Sequence, residues 1–191
     1  MKPLHALLLL PLAGAALSAC QAPKDPAMDQ MMADHKAMLA ADSTMKATKA
    51  AYLDGIQKVY AMFASGNADS IGNFVATDFI DHETRPGVAS TGLQGLKEMI
   101  ARNHAAFPDL QMTVLSSAVD GNMVMVHFNF KGTNTGPLDN GATTNKPVDV
   151  NGVDVLRFEN GKCVEHWGYM EESKMMEQLG LMPSMDGGKK K

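Results

Sequence analysis

Histidines and carboxylates near predicted strands are the residues of this chain best suited to acid/base chemistry. His82 ends a short apolar run, while Asp154 and His166 lie in two longer alternating runs, and Glu171 follows the second. An imidazole titrates near neutral pH, and a carboxylate or imidazole can remove a proton from the carbon beside a carbonyl. We therefore take these four residues as candidates for proton transfer on a small carbonyl compound.

A fifth candidate, His127, lies in a run whose two faces differ in character. Along this run, apolar residues alternate with residues of a second face. That second face holds His127 and Asn129 among methionines and a lysine. Successive side chains of a strand point to opposite sides of the sheet. We expect the His127 face to line a cavity, with both polar groups reaching the ligand; the alternative is that it faces solvent.

The elements that must position these residues follow from periodicity and turn signals. Helical spacing predicts helices over 51–65, 92–107 and 173–178, and a short helix over 70–76 after Asp69. Strands are predicted at 78–82, 110–119, 122–132, 148–158 and 162–170. Asp120-Gly121 between two β-rich runs is a strong hairpin signal, and the polar segment 133–146 is predicted to be a loop.

Helices followed by a long antiparallel sheet define an α+β fold with one domain. A sheet of this length, curled round a helical layer, leaves an apolar cavity at its open end that suits a small ligand. The chain has 17 basic and 21 acidic residues and a net charge of −4, so no basic field attracts nucleic acid.

Several motifs, in this order, resemble the SnoaL-like polyketide cyclase (ester cyclase) family over about residues 51–182. They are Phe79-Ile80-Asp81-His82, Phe107-Pro108-Asp109-Leu110, Gly132-Thr133, Val153-Asp154-Val155-Leu156-Arg157-Phe158, Glu165-His166-Trp167 and Gln178-Leu179-Gly180. The resemblance implies a cone-shaped sheet shared with ketosteroid isomerases. It also implies an intramolecular aldol closure that needs no metal or organic cofactor, and homodimers formed through the exposed sheet face.

The chain departs from this family at the residue after Trp167. Many members read Glu-His-Trp-Asp, and that aspartate is their acid/base candidate, whereas Gly168 stands here. Either Glu171 substitutes for the aspartate, or Asp154 and His166 form the working pair. Each choice puts the acid at a different position in the cone, and proton abstraction tolerates little misplacement. The second hypothesis is a binding module that keeps the cone without the chemistry, and a third is an assembly or interaction protein that uses the exposed sheet face. The aromatic residues expected at the ligand are Phe63, Phe79, Phe107, Trp167 and Tyr169.

The first 19 residues have the anatomy of a secretion signal, with Lys2 followed by a short apolar run. That run is too short to cross a hydrocarbon core of about 30 Å. Leu17-Ser18-Ala19-Cys20 resembles a bacterial lipobox, which implies cleavage before Cys20 and acylation of its sulfur. Gln21 at the next position favours an outer-membrane anchor facing the periplasm. The alternative is a plain secreted protein.

Residues 20–49 are predicted to form a tether that becomes helical, before the domain at 50–182 and a disordered tail at 183–191. Methionines recur at helical spacing in this tether, on a face shared with His35. That face either packs against the domain or a partner, or binds Cu(I) through thioethers; we favour packing.

Metal and nucleophile chemistry have weaker support. No His-x-x-x-His spacing is present, so a zinc site would depend on the fold to gather its ligands. Lipidation of Cys20 leaves Cys163 without a partner, and a small packing residue is favoured there over a reactive thiol. The sequence has no Gly-rich phosphate loop and no serine elbow.

The lipid anchor is testable in cells. We expect wild-type protein to incorporate labelled palmitate and to fractionate with membranes, because acylated Cys20 partitions into lipid. Cys20→Ala should lose both properties, whereas Cys163→Ala should keep both. A Cys20→Ala protein that stays with the membrane contradicts the anchor.

Overall fold

The computed structural model describes residues 25–83 and 89–183. The predicted signal peptide, Cys20 and the tail after Pro183 lie outside this range. The chain separates into two compact units, Met1–Asp42 and Ser43–Lys191. Among the described residues, no helix has both the length and the hydropathy that a membrane span requires.

Helix α1 covers Pro26–Ser65 and contains both the helical part of the predicted tether and the predicted first domain helix. In the first unit, its methionines are exposed, including Met31 and Met38. In the second unit, Ile56, Tyr60 and Met62 are buried. The helix ends where Gly66 adopts a φ of 71°, a conformation that costs glycine little.

The second unit is built on one five-stranded sheet. Its strands are β1 (Val75–Asp81), β2 (Gln111–Asp120), β3 (Met123–Thr133), β4 (Pro147–Glu159) and β5 (Lys162–Met170), in the order β1-β5-β4-β3-β2. Helices α2 (Gly92–Ala106) and α3 (Glu172–Leu179) complete the unit. The α+β class predicted from the sequence is confirmed.

Two local predictions need correction. The predicted helix at 70–76 is only a 3₁₀ turn at Ile71–Asn73, and β1 begins at Val75. The sheet is mixed rather than antiparallel, because β1 pairs parallel to β5, with Asp81 beside His166. Pairing with a distant strand and burial of Val75 outweigh the weak local helix signal.

A β-bulge interrupts the pairing of β4 with β5. Arg157 pairs with Glu165, but Phe158 pairs with Cys163, so Val164 has no opposite residue. An extra residue reverses the alternation of faces along a strand. Cys163 and His166 consequently both line the apolar interior of the domain, although their odd spacing would place them on opposite faces of a regular strand.

The segment between β3 and β4 is organised by Asn134, whose side chain is fully buried. Its Nδ2 donates to the carbonyl oxygens of Ala106 and Gly136, at 3.1 and 2.8 Å. Its Oδ1 accepts hydrogen bonds from the backbone N–H and the hydroxyl of Thr144, at 2.7 and 3.0 Å. One side chain therefore ties this loop to the end of α2.

Truncating Asn134 should destabilise the fold through this loop. We expect Asn134→Ala to lower the free energy of unfolding by about 2 to 3 kcal/mol, because it leaves buried backbone groups without partners. Asn140→Ala removes only an exposed contact to the N–H of Ala142 and should change stability by less than about 0.5 kcal/mol. Urea denaturation of both variants measures the difference; equal losses would contradict the role of Asn134.

Candidate active site

An apolar cavity of about 100 Å³, which we call the inner chamber, lies between α1, α2 and the concave face of the sheet. Phe63, Phe79, Phe128 and Phe158 contribute to its wall. Its polar lining residues are Tyr60, Glu83, Asn103, Asp154 and His166. A few polar groups converging in an apolar cavity are typical of a small-molecule site.

A chain of hydrogen bonds runs along one side of the inner chamber and links four residues. The Tyr60 hydroxyl donates to Asp154 Oδ2 at 2.6 Å. The imidazole of His166 lies between two carboxylates, with Nε2 at 3.1 Å from Asp154 Oδ1 and Nδ1 at 3.0 Å from Asp81 Oδ1. We call Tyr60, Asp81, Asp154 and His166 the polar chain.

The two carboxylates determine the charge of His166. Burial by itself lowers the pKa of His166, but hydrogen bonds and charges from Asp154 and Asp81 outweigh it and raise that pKa to about 10. The imidazole is therefore protonated at neutral pH, and both ring nitrogens donate. Burial, followed by the charge of Asp154 and the hydrogen bond to it, raises the pKa of Tyr60, so its hydroxyl keeps its proton.

Four separate elements supply the polar chain. Tyr60 comes from α1, Asp81 from the end of β1, Asp154 from the middle of β4 and His166 from β5. Parallel pairing places Asp81 beside His166, and antiparallel pairing places Asp154 opposite Gly168, two residues from His166. Asp81 is further held by its N–H, which donates to the carbonyl of Ser90 at 2.7 Å.

Gly168, which stands where many of the SnoaL-like sequences that this chain resembles have an aspartate, makes room for another acid. A Cβ atom on residue 168 would lie 2.6 Å from Glu83 Oε2 and 3.0 Å from His166 Cε1. The carboxylate of Glu83, just beyond β1, thus occupies the space into which a residue-168 side chain would project. An acid is present beside His166, although it comes from the segment that follows β1 and not from β5.

Cys163 belongs to the wall of the inner chamber. It is free and buried, and burial is the main cause that raises the pKa of its thiol to about 12. A neutral thiol is a poor nucleophile. Its environment fits the packing role expected from the sequence.

The structure places His82 and Trp167 together, but not in the wall of the inner chamber. Their rings stack with centroids 4.4 Å apart and planes at 3°. His82 Nε2 lies 3.0 Å from Glu165 Oε2, and Glu165 also accepts from Arg157. This cluster follows from β5 alternation, since Trp167 and Glu165 point away from the side that carries His166.

His127, Asn129 and Tyr169 also lie on the outer side of the sheet. The expectation that His127 and Asn129 line the cavity is corrected, because Phe128 and Phe130 of the same strand do so instead. The face of β3 that carries Val124, Val126, Phe128 and Phe130 is buried, and burial of this more apolar face decides the orientation of the strand. Asn129 Nδ2 instead donates to Asp149 Oδ1 at 2.7 Å, and Tyr169 is 63% exposed.

Glu171 lies just before α3 and is exposed. Its Oε2 accepts from the N–H of Asn151 at 2.8 Å and from Lys174 Nζ at 2.9 Å. The hydrogen bond from Asn151, then that from Lys174, lowers the pKa of Glu171. Of the five acid/base candidates chosen from the sequence, the structure brings together Asp154 and His166 at the inner chamber.

Four polar residues at this site escaped the sequence analysis: Tyr60, Asp81, Glu83 and Asn103. Tyr60 had a signal, because it is a hydroxyl-bearing residue on an otherwise apolar helix face, and a buried tyrosine hydroxyl normally requires a partner. Asp81 stands beside His82 in a motif already noted. Glu83 had no signal, because only the pairing of β1 with β5 brings it to Gly168.

One group of potential metal ligands occurs among residues 25–83 and 89–183. Ligand atoms of Asp81, Glu83 and His166 lie within 4.8 Å of one another. His166 Nδ1, however, already makes a hydrogen bond to Asp81. Because the imidazole is protonated, a metal would have to displace that proton.

Comparisons with known proteins agree with the fold. The sequence profile described as SnoaL-like polyketide cyclase matches residues 54–179. A search of curated proteins finds no match. Among solved structures, TsrD from Streptomyces laurentii superposes with a TM-score of 0.64 at 21% identity, covering 70% of this chain and 97% of TsrD.

Two further structures show the same fold. A candidate polyketide cyclase from Bacillus cereus has a TM-score of 0.60 at 25% identity, covering 69% of this chain and 82% of its own. AclR from Streptomyces galilaeus, described as a candidate hydroxylase, has a TM-score of 0.61 at 23% identity, covering 72% and 86%.

The raised pKa of His166 makes stability depend on pH. Folded protein keeps the His166 proton up to a pKa of about 10, whereas unfolded chain loses it near 6.5, so this stabilisation is full below about pH 6.5 and disappears by about pH 10. We expect the free energy of unfolding to fall by at most about 1.4 kcal/mol per pH unit between pH 6.5 and 9.

Asp81→Asn should lower the His166 pKa and flatten this dependence, while Asp139→Asn, at an exposed position, should leave both unchanged. Imidazole NMR titration gives the pKa, and urea denaturation gives the free energy. An unchanged His166 pKa in Asp81→Asn would contradict the assignment.

Proposed function

The chain belongs to the SnoaL-like polyketide cyclase family, and from this premise we propose that its inner chamber performs cofactor-free acid/base chemistry on a small carbonyl compound. One observation carries the proposal: Asp154 is buried, lines an apolar cavity and lies within hydrogen-bond reach of His166. Exclusion of water from such a cavity strengthens electrostatic interactions with charge that develops in a reaction.

Asp154 is the proposed proton acceptor. Its two oxygens accept from Tyr60 and His166, yet a carboxylate has about four lone-pair positions, so each oxygen can take another proton. The C–H bond beside the substrate carbonyl breaks, the proton moves to Asp154, and the electron pair moves onto the carbonyl oxygen as an enolate. The charge on Asp154 passes to the substrate, so the total charge in the chamber is unchanged.

Tyr60 and His166 are the proposed donors to that enolate. Once Asp154 is protonated, it accepts hydrogen bonds less strongly, and a donor that it held can turn to the enolate oxygen. Return of the proton to a different carbon gives isomerisation. Attack of the enolate carbon on a second carbonyl carbon opens that C=O double bond to an alkoxide, which takes the proton held by Asp154 and completes ring closure.

Asp81 is a positioning residue in this scheme. Its Oδ1 accepts from His166 Nδ1, which directs Nε2 towards Asp154 and keeps the imidazole charged. A carboxylate that orients a histidine through its second nitrogen is a recurrent device at catalytic sites.

A non-catalytic binding module is the second candidate function, and a specific observation favours it. Both nitrogens of His166 and both oxygens of Asp154 already have partners within the polar chain. A polar network that is satisfied internally can rigidify a cavity without reacting. The protein would then hold a small hydrophobic or carbonyl ligand.

The expected location and assembly complete the proposal. A lipid on Cys20 would hold the domain at the outer membrane, facing the periplasm.

A homodimer would form through the outer side of the sheet, where Met125, Val153 and Tyr169 are exposed. Sedimentation of wild type and Tyr169→Lys tests the dimer; a monomeric wild type at high concentration would contradict it.

Proton abstraction can be measured without knowing the natural substrate. We expect wild-type protein to accelerate exchange of the α-hydrogens of cyclohexanone in D₂O, followed by NMR. Asp154→Asn should lose about 10²- to 10⁴-fold of that acceleration, because the proton acceptor is removed. Glu171→Gln should stay within about twofold of wild type, since Glu171 lies outside the chamber.

The two candidate functions differ in this experiment. Full exchange activity in Asp154→Asn would refute the role of Asp154. Ketone binding that shifts the His166 resonances, without exchange faster than buffer, would establish the binding module instead. Thermal melts of each variant separate loss of chemistry from loss of fold.

A further inference from the structure

A second cavity, which we call the outer chamber, adjoins the inner one. It has a volume of about 390 Å³. The two chambers share lining residues, namely Glu83, Met99, Asn103, Phe130 and Met170. Since the same side chains border both spaces, a ligand seated in one can extend into the other.

The volumes indicate what each chamber can hold. Small-molecule sites usually enclose about 300 to 1,000 Å³. The inner chamber, at about 100 Å³, is below that range, whereas the outer chamber lies within it. The polar chain can therefore act only on a compact head, and the rest of a larger ligand must lie outside.

The outer chamber is rich in flexible apolar side chains. Met99 and Met170 lie at its junction with the inner chamber, Met175 and Met176 come from α3, and Leu138 comes from the loop that Asn134 organises. Unbranched thioether side chains adapt to apolar ligands of varied shape. This wall suits an alkyl chain better than a rigid polar group.

Charged residues also line the outer chamber, and their arrangement argues against an anionic ligand. Glu83, at the junction, has a carboxylate oxygen within 4.8 Å of a carboxylate oxygen of Asp81. Arg102 lies 3.7 Å from Asp139, so a carboxylate already faces that guanidinium. A neutral ligand passes this junction at the least electrostatic cost.

We propose that the outer chamber binds the apolar tail of a neutral, unbranched carbonyl compound whose carbonyl head enters the inner chamber. This inference rests on the proposed function, because it takes the polar chain as the site of the head. It adds a substrate class: alkyl ketones and keto esters with a chain of several carbons.

The test uses straight-chain methyl ketones from 2-butanone to 2-decanone and protein labelled at the methionine methyl groups. All members should shift the His166 ring resonances. Each added methylene should strengthen binding about fourfold until the outer chamber is filled. Shifts at Met175 and Met176 should appear only with the longer ketones.

Matched variants locate the tail. Met176→Glu places a charge in the outer chamber and should abolish the dependence of ketone affinity on chain length. Met182→Glu changes an equally exposed methionine that does not line the chamber and should behave as wild type. Thermal melts confirm that both variants fold.

Three outcomes would overturn the inference. If ketones shift His166 but affinity is independent of chain length, the tail site is refuted and the proposed function stands. If no ketone reaches His166, the proposed function and the tail site fail together. If long ketones shift the exposed methyl groups of Met31 and Met38 as strongly as those of Met175 and Met176, the chain-length effect is surface adsorption.

Discussion

A charged imidazole held between two buried carboxylates is the constraint on which the rest of the domain depends. His166 contacts Asp81 on one side and Asp154 on the other, and burying three ionisable groups is costly unless each finds a partner. The partners come from strands on either side of β5, and Tyr60 of α1 completes the chain. The strand order β1-β5-β4 is therefore required both by the fold and by the chemistry proposed for it.

The apolar surroundings give this polar chain its chemical character. Phenylalanines and methionines line the inner chamber and bury the polar chain, so the carboxylates act on His166 with little screening and hold its pKa well above the usual value. The bulge at Val164 makes the same chamber possible, since it lets Cys163 pack inward without turning His166 outward. Gly168 then admits the Glu83 carboxylate beside the imidazole. The motif lacks the aspartate expected after Trp167, but the carboxylates of Asp81, Glu83 and Asp154 lie near His166 instead.

Agreement between sequence and structure is closest where the signals are local. The hairpin turn at Asp120-Gly121, the strand Lys162–Met170 and helix α2 were predicted within about a residue, because turn chemistry and periodicity depend on neighbouring residues. The faces of the strands were less predictable. Both faces of β3 carry large apolar residues. The alternation of residues therefore separates the two faces but does not indicate which one points into the domain. His127, Asn129, Trp167 and Tyr169 were accordingly expected at a ligand from which the sheet directs them away.

The sequence by itself determined the α+β class, the family resemblance and two members of the polar chain, because these are written in residue types, order and spacing along the chain. Tertiary structure alone decided that β1 runs parallel to β5, that Asp81 and Tyr60 join His166 and Asp154, and that Glu83 fills the space above Gly168. Those contacts join residues 12 to 94 positions apart. Partners at such separations are selected by the burial of whole strand faces and by the need to pair buried charges, and neither is a property of any short stretch of sequence.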